Sequence, residues 1–267
     1  MKNILLLMHD DPGQQARLSV ALDLARVLDG HLTCIDVVEM PPALVTGMDD
    51  CRATAMVLDC EQEREAANRA RTEPQIRGFG LDYQWIETTG FLSPTVREAA
   101  GLADLIVLNR ELEDGRPDMR EIVGEVLIGA GRPIVAVPQR ARGFDAHGHA
   151  LIAWDGSKES DAALRAAVPL LEHATAVTLV EVDDGSVTVL ANAAADYLAR
   201  YGISAAIRRE TSAFDIPSTI ILDTIDALGA AYLVMGGYGH SRFIEAALGG
   251  VTKRMLAECP VPIFLTH

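Results

Sequence analysis

Positive charge is scarce in this 267-residue chain: 23 Lys and Arg stand against 38 Asp and Glu, a formal net charge of −15. No basic stripe offsets the acidic balance, which excludes a general role on nucleic acid or an anionic membrane. An anionic ligand would have to be captured locally, by backbone N–H groups. Long apolar runs are missing as well. No stretch of about 18 apolar residues occurs, and the opening MKNILLLMHDDPG turns acidic after a few apolar residues, as a buried strand does and a leader does not. The expectation is a cytoplasmic protein with no membrane partner. Only Cys34, Cys51, Cys60 and Cys259 carry thiols. With no CxxC pair they read as reduced thiols, and Cys51 and Cys60 as ordinary helix cysteines before a redox pair. GxxxxGK[ST] and HExxH are absent too, and no convincing nucleophile and base pair stands out.

What the chain does have is repetition. Ile4 to Met8 reads as a buried strand, His9 to Gly13 as a turn, and Leu18, Ala21, Leu22, Ala25 and Leu28 as one helical face, followed by a strand from Leu32 to Val38. The order recurs with Ala150 to Trp154, the turn Asp155 to Ser157, the face Ala163, Ala166, Ala167, Leu170 and Leu171, and the strand Ala176 to Val182. Both units close alike. Leu105 to Leu108, Val123 to Ala130 and Pro133 to Val137 in the first match Tyr232 to Met235, Gly250 to Ala257 and Pro262 to Thr266 in the second. Continuous apolar strands alternating with helices predict an α/β fold of two tandem doubly wound, Rossmann-like domains, each a mostly parallel five-stranded sheet flanked by helices. The polar, breaker-rich stretch PQRARGFDAHGH sets the boundary, giving domains at 1–138 and 149–267 with a solvated linker at 139–148. His147 and His149 in that stretch lack a third ligand for a metal. The first unit carries an insertion from Pro41 to Arg71, whose Glu61, Glu63, Arg64, Glu65, Arg69 and Arg71 among alanines read as a lengthened helix with a solvated face.

The second unit alone holds GGYGHSRFIEAALGGVTKR, in which Gly236, Gly239, Gly249 and Gly250 bracket a short amphipathic segment. Glycine lets backbone N–H groups approach an anion closely. Gly236 to Gly239 follows a strand, where ligands of doubly wound sheets bind, and Gly249 and Gly250 open a helix whose N-terminus favours negative charge. The dinucleotide fingerprint fails, since Arg242 replaces its third glycine. His240 and Ser241 lie beside this cradle, within reach of a phosphate, and Lys253 and Arg254 offer it positive charge or simply sit exposed; for all four the reading without a ligand role is preferred. In the first unit no GxxG follows Leu108, and Glu111, Glu113 and Asp114 would repel a polyphosphate. That unit reads as a degenerate copy.

GxxG, nine residues, then Gly, set between the last two strands, together with AspGlySer opening the second unit and GlyGlyValThr before the final helix, resembles the universal stress protein family in its tandem two-domain form. The resemblance covers essentially the whole chain. It implies an adenine nucleotide, ATP alone or with Mg, in the C-terminal domain, and a role as stress-response sensor or regulatory binding protein. By position, Asp155 matches the acidic residue that meets the nucleoside, Val182 the backbone contact to adenine, and Gly236, Gly239 and Gly249 the phosphate glycines. Gly250 stands where the family has Ser or Thr, so a hydroxyl is lost while the N–H groups of Gly250 and Val251 remain. Two rivals stay open: a weak nucleotide hydrolase on the same fold, and a scaffold that binds nothing. The family also implies pairing of the two domains through their final strands and leaves a further homodimer open.

Overall fold

The computed structural model describes residues 1–40, 51–110, 119–211, 216–239 and 250–267. The first half runs β1 (Asn3–Met8), α1 (Gln14–Val27), β2 (His31–Glu39), α2 (Cys51–Gly78), β3 (Tyr83–Gly90), α3 (Leu92–Ala99), β4 (Leu105–Asn109), α4 (Met119–Ala130) and β5 (Ile134–Val137). The second runs β6 (His149–Trp154), α5 (Lys158–Leu171), β7 (Ala176–Asp183), α6 (Ala191–Ala199), β8 (Ala205–Thr211), α7 (Pro217–Leu228), β9 (Tyr232–Gly236), α8 (Val251–Glu258) and β10 (Ile263–Thr266). Strand order is β3-β2-β1-β4-β5-β10-β9-β6-β7-β8, one sheet of ten strands. Each half is parallel throughout. The halves meet at β5 and β10, which run antiparallel with Ile263 opposite Ala136 and Leu265 opposite Ile134.

The central strands read as unbroken apolar runs because both faces of the sheet are covered. Alternate residues supply two separate cores: Ile4, Leu6 and Met8 point with Val234 and Phe264 toward α1, α5 and α6, while Leu5 and Leu7 point with Leu233 and Leu265 toward α3, α4, α7 and α8. Each core runs from one half into the other, so the halves share their packing.

Two sequence expectations change. The stretch between the halves was expected to be solvated, yet Phe144 and Ala146 are buried, Phe144 stacks on Tyr232 with ring centroids 4.9 Å apart, and its N–H donates to Asp23. The charged helix α2 does turn Glu63 and Arg71 to water, with Glu61, Arg64 and Arg69 half-exposed, but its other face buries one of the expected surface charges, Glu65, together with Asn68, Thr72 and Ile76. The charge survives burial because its oxygens have partners: His9 Nδ1 lies 3.0 Å from Glu65 Oε1, and Glu65 Oε2 accepts from Asn68, which in turn exchanges side-chain hydrogen bonds with Gln14. Of Cys51 and the acidic residues Glu111, Glu113 and Asp114, the first has its side chain, and the others all their atoms, outside the described residues.

Candidate functional site: a cleft at the strand ends of the C-terminal half

In the second half β6 is flanked by β7 on one side and β9 on the other, so the chain reverses its winding between β6 and β9. Open α/β sheets bind ligands outside the carboxyl ends of the strands at such a point. A cavity of about 290 Å³ opens there, at the lower end of the ligand-pocket range of roughly 300–1,000 Å³. Its apolar wall comes from Ala153, Val180, Val182, Ile221 and Met235, and its polar wall from Asp155, Ser157, Ser160, Ser186 and Thr252.

Six of the seven residues singled out from the sequence, Asp155, Val182, Gly236, Gly239, Gly250 and Val251, line this one cavity. Gly249, with His240 and Ser241, lies outside the described residues. Asp155 leaves β6 in a tight turn: its Oδ1 accepts from the Ser157 N–H at 2.9 Å, the Asx geometry that favours Asp at turns. Gly156 follows with φ +76°, and a Cβ there would meet the backbone of Val189. Ser157 then caps α5, its Oγ accepting from the Ser160 N–H. Gly236 has a packing reason beyond any ligand, since a Cβ would stand 2.6 Å from Glu159 C and Ser160 N. The glycine lets β9 run against the first turn of α5.

The opposite wall is the N-terminus of α8. Gly250 is its N-cap, a residue with no side chain of its own to cap the helix. The first N–H groups of a helix have no partner within it, and here they open toward the cavity with the helix dipole behind them. Lys253 is exposed, and Arg254 is bound to Glu258, Ser218 and Thr219. Thr252, two residues past the family's hydroxyl position, lines the cavity with its Oγ1 3.4 Å from the Tyr238 N–H.

Tyr238 and Arg110 were missed in the sequence. Tyr238 sits between two cradle glycines with φ +59°. Its ring reaches the first half, where a Cβ on Gly124 would come within 2.8 Å of the hydroxyl. Arg110, buried at the end of β4, donates to the carbonyls of Met255, Leu256 and Cys259 at the far end of α8. A cation at a helix C-terminus satisfies its last carbonyls and opposes its dipole. Both sides of the cradle therefore rest on the first half.

In the matching crevice of the first half, between β1 and β4, a cationic side chain is buried. Arg17 is fully buried, donating to the carbonyls of Leu7 and His9 and to Asn109, with Asp11 2.9 Å away. His9, which matches Asp155 at the strand end, faces Glu65 of α2. Burial, then the nearby Glu65 charge, push the Asp36 carboxyl from 3.8 up to about 8. Burial would also raise Glu65, but His9, the Asp10 N–H and Asn68 hold it at about 2. The signs differ. A raised carboxyl stabilises the fold below its ordinary range and loses that contribution as pH climbs toward 8, whereas Glu65 loses its own as pH falls toward 2. Asp36→Asn mimics the protonated acid, so its stability relative to the parent should rise by about 2 kcal/mol or more between pH 5 and 8.5, read by urea denaturation.

Among the described residues no group of three or more His, Cys, Asp or Glu could hold a metal ion, and no helix is long and apolar enough to cross a membrane. The Universal stress protein family model matches residues 147–267. Over 99% of its length the chain resembles a universal stress protein from Archaeoglobus fulgidus DSM 4304, covering 95% of it at 18% identity and a TM-score of 0.76. A Pseudomonas aeruginosa UCBPP-PA14 protein named for the same family aligns over 100% of this chain and 93% of its own, at 17% identity and a TM-score of 0.61. A functionally unknown protein from Pseudomonas aeruginosa PAO1 gives 16% identity and a TM-score of 0.61 over 100% of this chain and 92% of its own. No curated protein matches in sequence. At such identities these structures speak to the fold alone. Residues 147–267 belong to the Universal stress protein family, and the N-terminal half is a second domain of similar fold.

Proposed function

We propose that the chain binds one molecule of ATP, or a related adenine nucleotide, in the cleft of its C-terminal domain and acts as a sensor or regulatory binding protein. The domains are taken as 1–138 and 149–267 with a short connection, 139–148, and the antiparallel β5 and β10 register supports their pairing within one chain. The observation that carries the reading is the convergence on one cavity of Asp155, Val182, Gly236 and Gly239 with the uncapped N-terminus of α8 at Gly250 and Val251. The apolar wall suits a base, Asp155 a ribose hydroxyl, and the free helix N–H groups a phosphate. Magnesium would take most of its ligands from phosphate oxygens and water, as it commonly does at nucleotide sites.

The test uses Gly250→Asp. Its backbone, φ −41° and ψ 157°, accepts a side chain, and Asp is a good N-cap. The substitution should leave thermal stability unchanged or slightly raised, because the carboxylate takes the N–H groups of α8. ATP affinity in calorimetry should fall at least tenfold, because the same carboxylate occupies the phosphate position. Unchanged ATP affinity would contradict the proposal.

A further inference from the structure

The polyphosphate end of this cleft already contains a negative charge. Glu159, in the first turn of α5, turns its side chain against the cradle: a Cβ on Gly239 would stand 2.5 Å from its Oε2 and 2.7 Å from its Cδ. Both residues line the cavity. The Glu159 backbone carbonyl accepts from Thr266, but its carboxylate makes no hydrogen bond or ion pair with another described residue. Asp155 and Asp184 are the other charged residues among the described lining, which includes no Lys, Arg or His. Among the described residues, backbone donors at α8 thus face a carboxylate with no cation beside it across the space a phosphate chain would enter.

We propose that Glu159 is a specificity-determining residue that selects ligands by charge. It disfavours free polyphosphate and favours a nucleoside, or a nucleotide whose phosphates are neutralised by a divalent cation beside the carboxylate. The inference rests on the nucleotide reading of the cleft and adds to it the state of the ligand. A carboxylate a few ångströms from a phosphate, in a cleft less polar than water, costs enough to change affinity about tenfold.

Calorimetry on the full chain and on Glu159→Gln tests this with three probes: adenosine, ATP with a chelator, and ATP with magnesium. Adenosine should bind both proteins equally. Metal-free ATP should bind Glu159→Gln about tenfold more tightly than the parent, and magnesium should improve ATP binding to the parent by a larger factor than to the variant. Glu159→Asp, which keeps the charge, should restore the parent's preference, separating charge from packing. If ATP binds but the ratio of metal-free ATP to adenosine affinity is the same in parent and Glu159→Gln, the role of Glu159 is overturned while the nucleotide reading stands. If none of the three probes binds either protein, the nucleotide reading falls and this inference with it.

Discussion

Arg17→Met should unfold at markedly lower urea concentration, losing about 3–5 kcal/mol of stability, the cost of breaking a buried ion pair by removing one partner. The guanidinium is fully buried and serves Leu7, His9 and Asn109 as well as Asp11. Methionine fills much of its volume but takes the cation away from the buried Asp11 carboxylate and removes one donor each from the carbonyls of Leu7 and His9 and the amide oxygen of Asn109. Leaving such groups unmade costs more than making them gains. Arg17→Met with Asp11→Asn should recover part of the loss, because the stranded charge is gone, and the difference between the two variants measures the coupling. This arginine also bears on function. It occupies, in the first domain, the crevice that corresponds to the cleft of the second, so the fold holds an internal cation where its counterpart is open.

Gly236→Val is the second large expected effect. The glycine's φ lies outside the left-handed region, so a side chain there is opposed by space and not by backbone strain. A Cβ would press on Glu159 C and Ser160 N at 2.6 Å, and both are backbone atoms of a helix buried along Ala163, Leu164, Ala167 and Leu171. No rotamer relieves such a clash. Either β9 or the first turn of α5 must move, at a cost of about 1–3 kcal/mol for the smaller Gly236→Ala and more for valine. Both lie on the wall of the cleft, so ATP affinity should fall at least tenfold even where Gly236→Ala remains folded. Calorimetry below the midpoint of thermal unfolding separates the two effects.

The strands were legible because a parallel strand covered on both faces is apolar at every position, as Ile4 to Met8 and Tyr232 to Met235 are. The cradle was legible because its glycines follow a strand and precede a helix. What the sequence concealed is pairing at a distance. Helix α2 reads as solvated from its charges, and only the placement of His9 beside Glu65 shows why one of those charges is buried. Phe144 was a signal in view, an aromatic residue within a polar stretch, and its partner Tyr232 lies far along the chain. Tyr238, Gly124 and Arg110 have no local signature at all, because their contacts join two domains. Glu159 looked like a first-turn acid on a helix, which it is. Its second property, contact with Gly239, exists only once β9 and α5 are side by side.

The two halves thus differ in a physical way that one number expresses. The N-terminal crevice holds Arg17, His9 and Glu65, and the C-terminal cleft holds space lined by glycine and an open helix end. The stoichiometry of ATP binding, measured by calorimetry on the full chain with magnesium present, tests this most directly. One molecule per chain is expected, reduced to none by Gly250→Asp; two molecules per chain, or one that survives Gly250→Asp undiminished, would be incompatible with a single site at the α8 end of the C-terminal cleft.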